Sequence, residues 1–108
     1  MADLHPLFVC SSVVKVSAET DGFDLHQVGD ARERTFQTRV AFASPFYDTP
    51  VVHAALAGLD IDNSDTARIS VGATNVDATG FDLVVTTWLG TRVYAAQVSW
   101  LAIGHSAA

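Results

Sequence analysis

The sequence predicts an all-β protein, a six-stranded antiparallel β-sandwich, and three observations support that prediction. Apolar and polar residues alternate with a period of two along several stretches of the chain. β-branched residues recur in these stretches, which are separated by Gly, Asp, Asn and Pro. No long window carries the sustained apolar stripe of an amphipathic helix. Six antiparallel strands are enough for two packed sheets.

The six predicted strands are separated by segments rich in the residues that turns prefer. In chain order the strands are Leu7 to Ser17, Arg34 to Ala43, Pro50 to Leu59, Ala67 to Val76, Gly80 to Trp88 and Arg92 to Ile103. The segment Ala18 to Ala31 is the longest one without a strand pattern. Long ordered loops in compact domains often carry function, so this segment is the predicted place for a binding loop.

The fourth predicted strand has one apolar face and one polar face. Ile69, Val71 and Ala73 point to one side because side chains alternate along a strand. Arg68 begins the opposite, polar side. We therefore expect this arginine to reach solvent or a ligand.

The last predicted strand differs from the fourth because both of its faces are largely apolar. One face carries Tyr94, Ala96, Val98, Trp100 and Ala102, and the other carries Val93, Ala95, Gln97, Ser99, Leu101 and Ile103. A strand that is buried on both sides indicates a packed subunit interface.

The composition fits a single domain over residues 1–108 that associates with copies of itself. The chain has 108 residues, of which 49% are hydrophobic and only 17% are charged. This length allows one hydrophobic core and is too short for two. The small charged share leaves little polar surface for a free monomer, so part of the apolar excess is expected to face another subunit.

The charge balance argues against nucleic acid and membranes as partners. Twelve acidic and six basic side chains give a net charge of −6, which repels phosphate backbones and anionic lipid surfaces. The segment Met1 to Val14 lacks a positively charged start, and Ser11 and Ser12 interrupt its apolar part. We expect neither a signal peptide nor a spanning helix there. Cytoplasmic synthesis is the simplest interpretation, with release by lysis or a non-standard route left open.

Residue types that support catalysis or metal binding are present but are not arranged for either. The four histidines are scattered without metal-ligand spacing, and no G-x-S-x-G nucleophile motif occurs. Cys10 is the only cysteine, which excludes an internal disulfide and favours a small buried hydrophobe, while an intermolecular bridge stays open. Asp60 to Asp65 begins like a calcium loop, but Asp65 and Val71 occupy the places of the required Gly and Glu. An acidic turn is therefore expected, with no enzyme activity, metal or cofactor.

Aromatic residues gather around the connection between the last two predicted strands. Trp88, Leu89 and Tyr94 bracket the short segment Gly90-Thr91, so their side chains should lie at one end of the sandwich. A sugar ring offers an apolar C–H face to an aromatic ring, and its hydroxyl rim suits a charged or amide group. Trp88, Tyr94 and Arg68 have these properties. From the pattern alone, ordinary packing explains the two aromatic residues equally well.

The sequence resembles the H-type lectin family, known from snail agglutinins and from the C-terminal domains of slime-mould discoidins. The resemblance covers most of the chain, and its ordered series is specific although each piece is short. The matching pieces are Val40 to Phe46, Pro50 to Val52, Leu59-Asp60, Asn75 to Phe81, Thr87-Trp88, Val93-Tyr94 and Val98 to Gly104.

This resemblance implies a lectin that forms trimers and binds N-acetylgalactosamine or galactose in clefts between neighbouring subunits. In the family an arginine early in the fourth strand binds the sugar hydroxyls or the acetamido group, and Arg68 holds that place, twenty positions before Trp88. Trp88 and Tyr94 match the family's aromatic contacts. The implied partners are glycans with terminal N-acetylgalactosamine or galactose, as in cell adhesion.

The sequence departs from the family pattern at three places. The residue after the site tryptophan is a polar sugar contact in snail lectins, and here it is Leu89, whose side chain forms no hydrogen bonds. Gly29-Asp30 is the nearest match to the family's glycine and sugar-binding aspartate, although a strict register from Phe42 places Ala31 there. The snail proteins' cysteines are absent, so a trimer would be held by packing alone. A hexamer of two such trimers stays open.

Two other functions compete with the lectin hypothesis. A structural or adhesive assembly module could keep the trimeric sandwich without sugar binding, and Leu89 and the shifted Asp30 would permit this. A hydrolase acting on glycans would need two carboxylates that face each other across a cleft.

Overall fold

A computed structural model describes residues 5–27 and 32–107 of the chain. The described residues form six β-strands and no helix. The strands are β1 (Leu7–Ser17), β2 (Arg34–Ala41), β3 (Val51–Ile61), β4 (Ser70–Thr74), β5 (Gly80–Thr87) and β6 (Val93–His105). All pairing between them is antiparallel, so the predicted all-β fold with six antiparallel strands is confirmed.

The strands form two three-stranded sheets that pack face to face. Sheet A has the order β1-β6-β3 and sheet B has the order β2-β5-β4, so β6 and β5 are the central strands. Consecutive strands run in opposite directions. As a result, β1, β3 and β5 end, and β2, β4 and β6 begin, at the same end of the sandwich, which we call the loop end.

The core consists of the inner faces of the two sheets, closed by aromatic residues from the connecting segments. Phe81, Leu83 and Val85 of β5 are completely buried against the inner face of β6. Phe42 packs edge-on against Phe46 with ring centroids 5.1 Å apart. Burial of large apolar and aromatic side chains is the main stabilising contribution to such a fold.

The strand bounds differ from the sequence prediction mainly in the fourth strand. β4 begins at Ser70 rather than Ala67, so Arg68 lies in the irregular segment that precedes it. β3 and β6 each extend two residues beyond the predicted end. β3 also contains a bulge, because Leu56 pairs with Val98 while Gly58 pairs with Gln97. The bulge turns Gly58 toward the outside of sheet A.

β6 is more exposed in this single chain than its sequence suggests. Its inner residues Ala96, Val98 and Ala102 are buried, as predicted. On the outer side, however, Leu101 is 36% exposed. Within residues 5–27 and 32–107 nothing covers the outer side of sheet A, so the packing of this face against another subunit stays a prediction.

The outer faces of the two sheets differ sharply in chemistry. On sheet A, apolar side chains project outward from all three strands. The exposed ones are Leu7, Val9, Val13, Val51 and Leu101. On sheet B the outer face carries a polar network, in which Arg39 Nη2 lies 2.7 Å from Asp77 and Arg39 Nη1 lies 3.3 Å from Asp82. Gln37 donates to Asp82 across 2.9 Å in the same network.

The single cysteine lies on the inner side of β1. Cys10 is half-buried and packs against the core, as expected for a small hydrophobic residue. Burial raises the pKa of its thiol. The part of the chain that the structure describes contains no helix long and apolar enough to cross a membrane.

Candidate functional site

The loop end gathers four of the residues that the sequence indicates as candidate ligand contacts. Arg68 precedes β4, Trp88 and Leu89 follow β5, and Tyr94 is the second residue of β6. Trp88, Tyr94 and Arg68 are each half-buried, which leaves part of every side chain accessible. The other two candidates, Gly29 and Asp30, lie outside the described residues.

The connection between β5 and β6 is a tight turn with unusual backbone geometry. Leu89 has a φ of 54° and Gly90 a φ of 79°, so both occupy the left-handed region. This conformation is uncommon for a residue with a side chain as large as leucine. It turns the Leu89 side chain outward, where it is 57% exposed, and aims its carbonyl oxygen at Arg68.

Thr91 joins the turn to the segment that carries Arg68. Its side chain is completely buried, and its hydroxyl donates to the Thr66 carbonyl over 2.7 Å. The same hydroxyl accepts a bond of 3.1 Å from Arg68 Nη1, which also donates to the Leu89 carbonyl over 3.5 Å. One edge of the guanidinium is therefore anchored in the fold.

A second anchor holds the backbone beside Arg68. The buried hydroxyl of Thr87 donates to the Arg68 carbonyl oxygen over 2.6 Å. Because Thr87 ends β5 and its side chain is completely buried, this bond fixes the backbone of Arg68 against sheet B. The position of Arg68 is thus set by two buried threonines.

An ionic cluster fixes the start of β6 and the phenol of Tyr94. Arg92 contacts both carboxylate oxygens of Asp65, through Nε at 3.2 Å and Nη2 at 3.1 Å. Its Nη2 also lies 3.1 Å from Asp62, and the Tyr94 hydroxyl donates to Asp62 across 3.4 Å. Such two-point contacts between arginine and carboxylate hold side chains in a defined geometry.

The same cluster lowers the pKa of both carboxyl groups. For Asp62 the largest cause is the hydrogen bond from the Ser64 side chain, followed by the Ser64 backbone amide. For Asp65 it is the side-chain hydrogen bond from Arg92, followed by the Arg92 backbone amide. Asp65 in turn raises the pKa of Arg92. Asp60 and Ile61 end β3, and Asp62 to Asp65 form an ion-paired acidic turn.

Arg34 ties the segment before β2 to this end of the fold. Its Nη1 donates to the Leu25 carbonyl over 3.3 Å and to the Gln27 carbonyl over 3.0 Å, and its Nη2 donates to the Thr91 carbonyl. The rings of His26 and Tyr94 lie 6.3 Å apart. The segment Ala18 to Ala31, predicted as a binding loop, therefore reaches the same end as Tyr94 in its described part.

Sequence reasoning missed the supporting residues Arg34, Thr91 and Arg92. A usable signal was present, because arginines stand at or just before the starts of the second, fourth and sixth strands. Because consecutive strands run in opposite directions, these three starts share one end, and the three arginines lie there. The side-chain role of Thr91 had no comparable signal, since a threonine after a turn glycine is usually solvated.

The arrangement suits recognition of an uncharged polar ligand better than catalysis. Among the described residues, no group of three or more His, Cys, Asp or Glu side chains could hold a metal ion. The carboxylates of Asp62 and Asp65 face Arg92 and Tyr94, and hydrogen bonds from Ser64 and Arg92 lower the pKa of both. The accessible side chains at and around the turn are an arginine, two aromatic residues and one exposed leucine.

Comparisons with known proteins agree with this fold and assign the chain to a family. The family model for the H-type lectin domain matches residues 37–103. The chain belongs to the H-type lectin domain family, and the resemblance seen in its sequence is confirmed. The matched family is described as a lectin domain.

Relatives of this chain include one bacterial protein and two solved structures. The chain is 38% identical over 71 residues to a protein described as "ATP synthase subunits region ORF 7" from Fuscovulum blasticum. The matched segment makes up 66% of this chain and 62% of that protein. It also matches wild-type discoidin II from Dictyostelium discoideum with a TM-score of 0.77 and 21% identity, over 98% of this chain and 40% of that one.

A second structure of discoidin II, the native recombinant protein, gives a TM-score of 0.72 at 24% identity, over 91% of this chain and 38% of that one. At these identities the likeness establishes the fold. The chain spans less than two thirds of each of these relatives.

Proposed function

We propose that this protein is a non-enzymatic lectin that recognises terminal N-acetylgalactosamine or galactose in clefts between the subunits of a homotrimer. The observation that carries the proposal is the meeting of Arg68, Trp88 and Tyr94 at the loop end of an H-type lectin domain. These are the residue types that a sugar ring requires. The arginine can donate hydrogen bonds to the sugar hydroxyls, and the aromatic rings can pack against the apolar C–H face.

The anchoring of Arg68 supports its role as the principal polar contact. Nη1 is held by the Thr91 hydroxyl and the Leu89 carbonyl. Within residues 5–27 and 32–107, no hydrogen bond to the remaining guanidinium nitrogens is present. A guanidinium fixed on one edge loses little conformational freedom when its other edge binds a ligand.

Tyr94 and Trp88 complete the pocket in this proposal. Tyr94 is held by the Asp62 carboxylate, and Asp62 is held by Arg92. The aromatic faces pack on the sugar while this support keeps the phenol in place. Asp30 is proposed to accept from two sugar hydroxyls beside Gly29, and Leu89 lines the rim, where it contributes apolar contact without a hydrogen bond.

The outer face of sheet A supports the proposed trimer. Leu7 is 70% exposed, Val51 is 61% exposed, and Val9 and Val13 are each about half exposed. Exposed apolar area of this extent on one face is typical of a subunit interface. An interface there would place the loop ends of neighbouring subunits side by side, where each pocket can be completed by the next chain.

A trimer also explains how weak sites become useful. Sugar hydroxyls must lose water before they bind, so a single site is weak. Three sites that engage one glycan-coated surface together gain by effective concentration. This multivalency suits a role in adhesion between glycan-bearing surfaces.

The second candidate is a structural or adhesive assembly module that has kept the trimer and lost sugar binding. Leu89 favours it, because a strained and exposed apolar residue stands where a polar contact is expected. Under this hypothesis the apolar face of sheet A is functional and the loop end is not.

A glycan array screened with the purified protein separates the two candidates. The wild-type chain, the Arg68→Ala variant and the Arg39→Ala variant are compared, with the assembly state of each confirmed by light scattering. Loss of a hydrogen bond from a charged group should weaken galactose-type binding by about 10- to 100-fold in Arg68→Ala. Arg39→Ala removes an arginine from the outer face of sheet B and should bind as wild type does.

Two outcomes would count against the proposal. A trimer of wild-type chains that binds no glycan would establish the assembly module instead. Galactose-type binding that survives in an assembled Arg68→Ala variant would remove Arg68 from the site.

A further inference from the structure

The outer face of sheet A carries two charged side chains of opposite sign, Lys15 on β1 and Asp60 on β3. Residues directly opposite each other in antiparallel strands share a face, and Lys15 lies opposite Gln97 while Asp60 lies opposite Ala95. Gln97 and Ala95 are successive outward positions of β6. Lys15, Gln97, Ala95 and Asp60 therefore all project from the outer side of the sheet.

The two charges lie on opposite edges of the sheet, close to the loop end, and are offset by two residues along the strands, which is about 7 Å. Between them runs a groove of about 400 Å³ whose outward-facing residues are small or polar. It is deepened at the bulge of β3, where Gly58 faces outward beside Gln97. A side chain at position 58 would place its Cβ only 3.2 Å from the Gln97 Cβ.

Neither charge is neutralised inside the chain. Among the residues that the structure describes, neither Lys15 nor Asp60 takes part in an ion pair. Both residues are exposed in the single chain. On a face otherwise occupied by apolar, small and uncharged polar residues, covering them without a partner would be costly.

We infer that Lys15 of one subunit pairs with Asp60 of the next, and that this pair aligns neighbouring subunits in the assembly. The inference rests on the proposed trimer. When chains are arranged around an axis parallel to their strands, the β1 edge of each sheet A faces the β3 edge of its neighbour. Because the offset of two residues between Lys15 and Asp60 is short enough for a lysine side chain to bridge, every contact in the ring brings one of each within reach.

Contacts that leave the two charges unpaired are disfavoured. Lys15 and Asp60 would then be covered without a partner, and a charge that is buried without a partner is strongly unfavourable. The ion pair therefore favours the alignment of neighbouring sheets in which both charges are satisfied.

The contact has a functional consequence. A ring of chains around one axis places all of its loop ends on the same side, so every Arg68 and Tyr94 pocket of the assembly faces one surface. By stabilising the contacts of that ring, the Lys15–Asp60 pair supports the engagement of several sites with one glycan-coated surface.

Charge reversal tests the pair in the full-length chain. Lys15→Glu and Asp60→Lys are made singly and together, and Glu33→Lys serves as a matched control on an exposed residue before β2. Sedimentation at several protein concentrations measures the midpoint of subunit dissociation. Each single reversal should raise the midpoint at least about 10-fold, and the double reversal should restore it to within about 3-fold of wild type.

Zero-length crosslinking with a carbodiimide gives an independent readout. Lys15 is the only lysine of the chain, so few interchain products are possible. The wild-type assembly should yield an interchain amide that joins Lys15 to Asp60, identified as a linked peptide by mass spectrometry. That peptide should be absent from Asp60→Asn.

The possible results separate this inference from the trimer on which it rests. Wild-type chains that stay monomeric at all concentrations would overturn both. A wild-type trimer that is insensitive to both reversals, or a double reversal no better than the singles, would overturn the pairing and leave the trimer intact. Weakening by each reversal, rescue by the double and the Lys15–Asp60 crosslink would together support it.

Discussion

The two sheets of this sandwich have similar inner faces and very different outer faces. Their inner faces bury apolar and aromatic residues against each other. On the outside, sheet B carries an arginine, two aspartates and an amide that satisfy one another in solvent. Sheet A instead exposes leucine and valine, with charged groups only at its edges near the loop end. The polar groups on the outside of sheet B therefore satisfy one another within the chain, whereas the outside of sheet A leaves apolar side chains exposed.

The largest expected effect comes from matched arginine substitutions on the two central strands. Leu101→Arg places a charge in the middle of the outer face of sheet A, and Val84→Arg does the same on sheet B. If only sheet A is covered by another subunit, Leu101→Arg should raise the dissociation midpoint by about 100-fold or more, because the new charge has no partner in an apolar contact. Val84→Arg should leave the midpoint unchanged.

Light scattering over a range of protein concentrations checks this prediction, with circular dichroism to confirm that both variants fold. Equal effects of the two substitutions on the dissociation midpoint would show that the outer faces of the two sheets do not differ in their role in assembly. Weakened assembly by Val84→Arg alone would move the interface to sheet B.

A smaller effect is expected at the polar network on the outside of sheet B. Hydrogen bonds from Thr79, chiefly from its side chain, together with the charge of Arg39, lower the pKa of Asp77 from 3.8 to about 2. Because the folded-state pKa is depressed, this stabilisation is fully present above pH 3.8 and is lost as the pH falls through about 2. Tm should therefore decrease over that interval.

Asp77→Asn isolates this contribution. The variant should start with a lower Tm at neutral pH and lose less of it on acidification than the wild-type chain does. Thermal unfolding at a series of pH values measures the difference. Parallel pH profiles for the two proteins would show that the Asp77 carboxylate does not contribute to acid sensitivity.

Much of the fold could be predicted from the sequence because strand alternation and turn residues are local signals. They place all six strands, and they locate Trp88, Leu89 and Tyr94 at one end through the short connection after β5. The start of β4 was predicted three residues too early, since the alternation of Arg68 and Ile69 continues beyond the hydrogen-bonded pairs. Local pattern does not reveal where cross-strand pairing begins.

The supports of the site could not be predicted because they depend on contacts between distant segments. Arg92 meets Asp65 across 27 residues, and Arg34 meets Thr91 across 57 residues. The exposure of the outer side of β6 also could not be predicted from local pattern. Both sides of this strand are largely apolar, but the outer side is exposed in the single chain and would be covered only in an assembly.

The central claim is that sugar binds where subunits meet, and titration calorimetry with free N-acetylgalactosamine tests it most directly. Wild-type protein is compared with the Leu101→Arg variant at a concentration where that variant is monomeric. We predict about one sugar bound per wild-type chain and no measurable heat of binding for the folded monomer. A monomer that binds the sugar as well as the assembled protein does would contradict the claim, because the pocket would then be complete within one chain.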